Sequence, residues 1–246
     1  MKRTELALKN ILWGMIEKGI MILCPFAIRT IIIYNLGNEY LGLSSLFSSI
    51  LQVLSLAELG FGDAIVFGMY KPIAEHDNKK VGILLNTFRR IYQLLGVIIL
   101  TVGLVVMPFI KKLINGEYPS NINVYILYII YLSNTVVSYF LFAYKESLIK
   151  ANQRNDINSK IYITCNLGMY ILQIIVLLFL KNYYYYALLL PICTIVINIY
   201  RSIVVDRQYP DIKCEGSLSH KDLYDLGKCV VGLTINKISQ VFRNSF

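Results

Sequence analysis

The chain has 246 residues, of which 56% are hydrophobic and only 16% are charged. A soluble domain is typically about 45–50% apolar and about 25% charged, so this composition excludes an ordinary water-soluble globular protein. The formal net charge of +9 would suit a nucleic-acid-binding protein, but the 24 Lys and Arg residues are concentrated in polar segments between long apolar stretches.

Long apolar segments recur along the chain at lengths that cross the roughly 30 Å hydrocarbon core of a bilayer. Their apolar residues surround each helix instead of forming one stripe, which is typical of helices in lipid. We predict an all-α membrane protein, a polytopic transmembrane helix bundle with six complete spans and the start of a seventh near Leu226. The six complete spans are predicted at roughly 11–35, 42–70, 83–110, 123–144, 158–180 and 184–205.

Basic residues are distributed unequally between the polar segments. The N-terminus and every second segment together hold 17 Lys and Arg residues, whereas the alternate connections hold three. The basic set comprises 1–10, 71–90, 145–160 and 201–228, and the other set comprises 36–40, 111–121 and 181–183. This asymmetry follows the positive-inside rule and predicts a cytoplasmic N-terminus. The positive charge would then contact anionic lipid headgroups, and we expect no nucleic-acid partner.

The first predicted span contains Glu17, Lys18 and Arg29 within an apolar sequence. At 100° per residue, Lys18 and Arg29 lie about 20° apart on the helical wheel, and Gly14 and Pro25 fall on the same side. Pro25 would release a backbone carbonyl and let the helix bend. A charge at a helix centre costs roughly 2.5–3.5 kcal/mol on insertion scales, so this face is predicted to line a wet cavity. Alternatively, Arg29 snorkels to the headgroups and Lys18 pairs with a carboxylate.

The second predicted span contains two carboxylates, Glu58 and Asp63, around Gly60 and Gly62. On one continuous helix the carboxylates would lie about 140° apart, so a dyad is not expected, and Asp63 would extend a polar stripe with Gln52. The two glycines would permit close packing or bending of the helix. One carboxylate is expected to form a salt bridge to Lys18 or to the basic loop. A proton or sodium site is the alternative.

The sequence offers little for metal, cofactor or catalytic chemistry. Its five cysteines are scattered without a C-x-x-C pair or a close histidine, and no G-x-x-x-x-G-K-[ST] phosphate loop occurs. The outer connections are short, and no D-x-D or clustered His/Asp pattern is present, which argues against a glycan polymerase or glycosyltransferase. We therefore expect no metal, no cofactor and no enzymatic activity.

The organisation of the chain changes after the sixth predicted span. We predict an N-terminal six-helix lobe at 1–205, a cytoplasmic interfacial linker at 206–227, and the start of helix 7 of a second lobe at 228–246. In this last segment Lys237, Gln240 and Asn244 would share one helix face. Because the segment ends at a depth where lipid would surround it, we expect a fragment or a truncated product.

The segment YLGLSSLFSSILQVLSLAELGFGDAIVFGMYKPIAEHDNKKVGILLNTFRRIYQLLG at 40–96 resembles the lipid-linked oligosaccharide flippases. These form the polysaccharide-export branch of the multidrug/oligosaccharidyl-lipid/polysaccharide exporter superfamily. The matching features are a Y-L-G entry to helix 2, an acidic-L-G-x-G-x-A-I turn and a Y-x-P-I-A-x-x-D segment. This last segment leads through Lys79 and Lys80 into a basic third helix, and the N-terminal KNILWGMIEKGI also fits. The likeness covers the first hundred residues, and the remainder matches only by helix pattern.

The resemblance implies two six-helix lobes that rock to give alternating access around a cationic central cavity. It also implies flipping of undecaprenyl-pyrophosphate-linked oligosaccharide repeat units from the inner to the outer leaflet of a bacterial inner (plasma) membrane. Such transport serves O-antigen, capsular or exopolysaccharide biosynthesis, with a polysaccharide polymerase and a chain-length regulator as partners. This chain departs from the pattern in having only the first lobe and the start of helix 7.

Cations in a poorly solvating cavity would bind the pyrophosphate of this anionic lipid-linked oligosaccharide. The candidates are Lys18, Arg29 and Lys237. An inside-negative potential drives an anion outward by roughly 2.3 kcal/mol per charge per 100 mV, so export need not consume ATP.

A cation-coupled multidrug or metabolite antiporter of the same fold is the alternative function. The candidates for ion coupling or for control of the conformation are Glu17, Glu58 and Asp63.

Overall fold

The structure, a computed structural model, describes residues 3–55, 58, 60–114 and 118–244, with the backbone alone at 3, 236–238 and 240–244. These residues form ten α-helices and no β-strand. The helices are α1 (Arg3–Asn35), α2 (Asn38–Ser55), α3 (Phe61–Ala74), α4 (Asn78–Val106), α5 (Ile110–Leu113), α6 (Val124–Phe140), α7 (Glu146–Ala151), α8 (Asn155–Ile175), α9 (Tyr183–Gln208) and α10 (His220–Asn244). Short 3₁₀ turns precede α5 and α7, and a π-helical turn at Val176–Leu180 extends α8.

Among the described residues, four helices begin at a side-chain cap. Asp77, Asn123, Asn182 and Ser219 precede α4, α6, α9 and α10, and each side chain accepts a backbone N–H of the first turn. Such caps satisfy donors that a helix N-terminus otherwise leaves without an acceptor. The polar residues at these positions therefore fix where the chain turns back into the bundle.

Within the described ranges, four helices are long and apolar enough to cross a membrane: Thr4–Asn35, Asn78–Leu113, Asn155–Leu180 and Tyr183–Gln208. The pair Val124–Phe140 and Ala143–Ala151 meets the same criterion when taken together, although it is bent by 54°. The part of the chain that the structure describes is thus all-helical with four or five candidate membrane spans, and this part of the predicted fold is confirmed. The count of six spans plus a seventh stays a prediction.

The second predicted span, 42–70, is divided into two helices. α2 ends at Ser55 and α3 begins at Phe61, with Gly60 in the left-handed conformation at φ 94°. A Cβ at Gly60 would clash with Thr234 Oγ1 and lie 2.8 Å from the Val230 carbonyl oxygen, both in α10. Gly60 therefore allows both the turn and the close approach of α10.

Two apolar clusters divide the core along the length of the helices. One cluster, around Phe47 and Tyr128, joins α2, the later parts of α4 and α8, α6 and the start of α9. The other, around Ile65 and Leu148, joins α3, the start of α4, α7, the start of α8 and the end of α9. Because α4, α8 and α9 contribute to both clusters, they connect the two ends of the bundle.

The polar segments group at the two ends of the bundle as their charges predict. At one end, Asn10 donates to the Gln153 carbonyl (2.8 Å) and Asn86 donates to the Gly216 carbonyl (2.8 Å). Lys145 and Asp206, 2.6 Å apart, join the last two segments of this basic set. The segments with few basic residues meet at the other end, where Tyr40 donates to Asn121 (3.0 Å) and its ring packs on that of Tyr183.

The connection between α9 and α10 lies across the start of α4. α9 continues to Gln208 and α10 begins at His220, so 209–219 is the irregular part of the predicted linker 206–227. A Cβ at Gly82 would clash with the Lys213 carbonyl oxygen, so the missing side chain lets the connection lie directly on α4. This segment is called the strap below.

Candidate functional site

Three adjacent cavities, each partly open to the surface, lie between helices of the bundle. The carboxylate cavity, about 320 Å³, is lined by Glu58, Asp63 and Lys150 among others. The middle cavity, about 440 Å³, is lined by Glu17, Asn158 and Arg201 among others. The tyrosine cavity, about 430 Å³, is lined largely by tyrosines and amides.

Neighbouring cavities share wall residues and so form a row. Glu58, Tyr92 and Glu146 line both the carboxylate cavity and the middle cavity. Tyr162 and Thr194 line both the middle cavity and the tyrosine cavity. Three cavities with polar groups in their walls are therefore adjacent along a bundle whose helices are otherwise apolar.

Two helix breaks meet where the carboxylate and middle cavities adjoin. Glu58 lies between α2 and α3, next to the left-handed Gly60. Glu146 begins α7, which the left-handed Phe142 (φ 46°) and the 54° bend separate from α6. In membrane proteins, broken helices are tolerated where they border protein or a wet cavity, and such breaks commonly form binding sites.

Glu58 is held by two tyrosines from different helices. Tyr139 of α6 donates its hydroxyl to Glu58 Oε2 at 2.6 Å, and Tyr92 of α4 donates to Glu58 Oε1. The two phenol rings lie 5.3 Å apart. Glu58 therefore joins α4 and α6 at the break after α2.

Glu146 lies in an ion-pair network that joins α7 to α9. Its carboxylate is 3.0 Å from Arg201 Nη2 and 2.6 Å from Lys150 Nζ. The adjacent Lys145 contacts Asp206 at 2.6 Å and donates to Ser202 at 2.8 Å. The network fixes the bent helix at the wall of two cavities.

The middle cavity has more acidic than basic groups. Glu17, Glu58 and Glu146 line it, against Arg201. Glu17 accepts from the Ser159 hydroxyl at 2.6 Å. In the described part of the chain, neither Glu17 nor Glu58 makes a salt bridge. The described charged residues of this cavity are therefore mainly acidic, and none of the predicted cations is among them.

The polar groups of the row are incompletely paired. Arg201 Nε and both amide atoms of Asn158 are buried and find no hydrogen-bond partner among the described residues. Both side chains line the middle cavity. Buried polar atoms without partners are costly, so these groups are suited to bind water or a polar ligand.

The predicted cations of the first span separate in the structure. Arg29 and Pro25 both line the tyrosine cavity. Lys18 is exposed, with its Nζ 3.9 Å from Met21 Sδ, and is not among the described residues that line the three cavities. Lys237 belongs to α10, but its side chain lies outside the described residues.

The expectation that Glu58 and Asp63 face different directions was wrong. Both line the carboxylate cavity, together with Gly62. The helical-wheel argument assumed a continuous helix over 42–70, and the break before Phe61 removes that assumption. A Cβ at Gly62 would lie 3.7 Å from the Phe88 ring, an ordinary contact, so packing alone does not require glycine there.

Sequence reasoning missed most of the tyrosine cavity. α8 contributes Tyr162, Asn166, Tyr170 and Gln173 to it, which recur at intervals of four, four and three residues. That spacing places them on one face of a helix. The spacing is visible in the sequence, but single amides in membrane helices are ordinarily accounted for by interhelical hydrogen bonds.

No group of three or more His, Cys, Asp and Glu side chains within 3–55, 58, 60–114 and 118–244 is arranged to hold a metal ion. The chain matches no protein-family model, no curated protein and no solved structure. The resemblance to the flippases therefore stands on the sequence motifs alone.

Proposed function

We propose that the chain is a lobe of a membrane transporter that flips undecaprenyl-pyrophosphate-linked oligosaccharide repeat units from the inner to the outer leaflet of a bacterial inner membrane. Transport would proceed by alternating access. A polysaccharide polymerase and a chain-length regulator would use the flipped product for O-antigen, capsular or exopolysaccharide synthesis. The observation that carries the proposal is the row of three polar cavities inside an apolar bundle.

The contrast between exterior and interior supports transport of a polar cargo. α1 exposes Leu12, Ile22 and Phe26, and the turn after α8 exposes Phe179, which suits contact with lipid. Charged and amide groups in a membrane helix bundle usually face a partner or a water-filled cavity and mark a pathway. Here they line cavities at the helix breaks, as in transporters built from discontinuous helices.

The predicted topology can be assembled from the observed helices. We take α2 with α3 as the second span and α6 with α7 as the fourth, so that α1 to α9 form six spans and α10 begins a seventh. Grouping of the basic segments at one end supports a cytoplasmic N-terminus by the positive-inside rule.

Arg29 is the proposed ligand of the pyrophosphate. It lines the tyrosine cavity, and a guanidinium forms paired, charge-assisted hydrogen bonds with phosphate oxygens. Lys18, on the exposed side of α1, and Lys237 would contribute from a surface shared with a second lobe.

The test is lipid flipping in proteoliposomes that contain the full chain. A fluorescent polyprenyl-pyrophosphate-linked saccharide is incorporated in both leaflets, and its exposure to a membrane-impermeant reductant reports its movement. Wild-type protein should expose the inner-leaflet probe faster than empty liposomes do. Arg29→Ala loses a charge-assisted contact and should therefore lower the rate of probe flipping by roughly tenfold or more.

Lys112→Ala is the matched control because it removes one exposed cation that lies outside the cavities. It should flip the probe at the wild-type rate, whereas Lys18→Ala and Lys237→Ala test the remaining predicted cations. Wild-type protein no faster than empty liposomes, or Arg29→Ala as fast as wild type, would contradict the proposal.

A cation-coupled antiporter of the same fold is the second candidate, and one observation favours it. Glu17 and Glu58 face the middle cavity with hydroxyl partners and without a salt bridge among the described residues. Carboxylates in a poorly solvated site bind a proton or a monovalent cation more readily than an anion.

Its test is uptake of the organic cation tetraphenylphosphonium into the same proteoliposomes under an imposed Na⁺ or H⁺ gradient. Gradient-driven uptake that Glu58→Gln abolishes would favour the antiporter. If the protein flips the lipid-linked probe but takes up no tetraphenylphosphonium, the antiporter would be excluded.

A further inference from the structure

We propose that the tyrosine cavity is a saccharide subsite, in which Gln173, Asn166 and the surrounding tyrosines bind one sugar ring of the cargo. The inference rests on the proposed function, from which it takes a lipid-linked saccharide as the cargo. It identifies the residues of the lobe that recognise the sugar. Its basis is the chemistry of the cavity wall.

The size and composition of the cavity suit a small uncharged polar ring. Its volume of about 430 Å³ falls within the roughly 300–1,000 Å³ of typical small-molecule sites. Four tyrosines and three amides line it: Tyr131, Tyr162, Tyr170, Tyr186, Asn134, Asn166 and Gln173.

The charges of the wall argue against a cationic ligand. None of the described residues that line this cavity is a carboxylate, and Arg29 is the charged side chain among them. This composition distinguishes the cavity from the acidic middle cavity. Phenol and amide groups both donate and accept hydrogen bonds, as sugar hydroxyls do, and phenol rings can pack on the C–H face of a pyranose.

Gln173 provides an independent indication of a ligand. The side chain is only 1% exposed, and its Nε2 finds no hydrogen-bond partner in the described part of the chain. By contrast, Asn134 accepts from Thr194 at 2.7 Å and Asn166 donates to the Tyr162 carbonyl at 2.9 Å. A buried amide donor that borders a cavity and lacks an acceptor is suited to donate to a sugar hydroxyl.

The position of Arg29 fits a sugar that is attached to a phosphate. Arg29 and Tyr186 line the same cavity, so a phosphate on the guanidinium would leave its sugar beside the tyrosines. The glycan and its anionic anchor would then be recognised by adjacent groups of one cavity.

The test is saturation-transfer NMR on the full chain in lipid nanodiscs, which avoids sugar-based detergents. The probes are N-acetyl-D-glucosamine, D-glucose and D-galactose, with tetramethylammonium as the cationic comparison. At least one of the three sugars should receive saturation from wild-type protein, and tetramethylammonium should not receive it through this cavity. Loss of one hydrogen bond in Gln173→Leu should weaken sugar binding by about fivefold.

Gln173→Leu also separates a binding role from a structural one. If Gln173 only supported the fold, its removal would lower the melting temperature. If Gln173 instead lacks a partner in the folded protein because it binds a ligand, Gln173→Leu should have a melting temperature at or above the wild-type value. The same variant should bind the sugar more weakly. Gln208→Leu, at the exposed end of α9, is the matched control and should change neither quantity. Tyr186→Phe, which nearly preserves the shape of the side chain, is a second variant that should weaken sugar binding.

The outcomes distinguish this inference from the proposed function. Sugar binding that depends on Gln173, without flipping of the lipid-linked probe, would support the subsite and overturn the transporter. Flipping with no saturation transfer to the sugars, or with transfer equal in Gln173→Leu and wild type, would overturn the subsite and leave the transporter.

Discussion

The guanidinium of Arg201 lies 3.0 Å from the carboxylate of Glu146, and this contact joins α9 to the bent helix α7 at the wall of the middle cavity. The arginine side chain is 10% exposed and that of the glutamate is 31% exposed. Glu146 has a second basic partner, Lys150, whereas Arg201 makes its described ion pair with Glu146. Neutralisation of the Arg201 charge therefore depends on Glu146 more than neutralisation of the Glu146 charge depends on Arg201.

Replacing Glu146 with Gln should destabilise the protein more than replacing Arg201 with Met. Glu146→Gln leaves a buried guanidinium without its carboxylate, which we expect to lower the melting temperature by roughly 5–10 °C. Arg201→Met leaves Glu146 paired with Lys150 and should cost less. Thermal unfolding in detergent, followed by intrinsic fluorescence, measures both.

The exposed pair Lys71 and Glu75 is the control for this asymmetry. Its side chains are 82% and 59% exposed, so Glu75→Gln should change the unfolding free energy by less than about 1 kcal/mol. The double variant Glu146→Gln/Arg201→Met should be more stable than Glu146→Gln alone, because it removes the unpaired charge. A larger loss in Arg201→Met than in Glu146→Gln would contradict the assigned dependence.

Replacing Gly82 with Ala should release the strap from α4. A Cβ there would clash with the Lys213 carbonyl oxygen, which is backbone and cannot rotate away. Cys214 reports the release, because burial raises the pKa of its thiol, against the opposing effect of Arg89. The thiolate is the reactive form, so a raised pKa slows alkylation at a given pH.

The measurement is the rate of maleimide labelling of Cys214, with the other cysteines replaced by Ala. Gly82→Ala should label faster than its parent, and its rate should begin to rise at a lower pH, because the solvated thiol has a lower pKa. Gly168→Ala is the control, since a Cβ there meets nothing within 4 Å. Equal labelling of the Gly82→Ala variant and its parent would show that the strap tolerates a side chain there.

Charge and hydropathy determined the coarse features of the fold correctly. The alternation of basic and sparse segments predicted which connections meet, as the contacts of Asn86 with Gly216 and of Tyr40 with Asn121 show. Hydropathy and the distribution of charge can be read directly from the sequence. Helix breaks cannot, because they depend on local backbone geometry and on residues that are distant in the sequence.

The break at Gly60 illustrates the difference. The glycine was visible, but its left-handed conformation and the approach of α10 arise from tertiary packing. An error at this point changed the predicted relationship of Glu58 and Asp63 from separate faces to a shared cavity. The role of Arg201 was not predicted for a related reason, since its place in the basic segment 201–228 does not reveal that its side chain is buried against Glu146 of the bent helix α7.

Removing the hydroxyl of Tyr139 should weaken the junction of α6 with the α2–α3 break. This hydroxyl donates to the Glu58 carboxylate at 2.6 Å. A hydrogen bond to a charged group contributes about 1.5–3 kcal/mol, so Tyr139→Phe should lower the unfolding free energy by that order. Tyr185→Phe, at an exposed position, is the control and should have little effect.

A double-mutant cycle tests whether this loss belongs to the contact with Glu58. If it does, Tyr139→Phe should cost much less in a Glu58→Gln background than in wild type, since a neutral amide accepts a weaker hydrogen bond. Losses that add fully in the double variant would assign the effect of Tyr139 to another interaction.

The two ends of the bundle should be labelled from opposite sides of the membrane. Ser120 and Lys181 are exposed at the end with few basic residues, and Lys79 and Ser217 are exposed at the basic end. If the basic end is cytoplasmic, a membrane-impermeant maleimide applied to intact cells should label Ser120→Cys and Lys181→Cys, in a background with the native cysteines replaced by Ala. Lys79→Cys and Ser217→Cys should be labelled only after the membrane is permeabilised. Labelling of all four in intact cells would show that the bundle does not separate two compartments, and the reverse pattern would place the N-terminus outside.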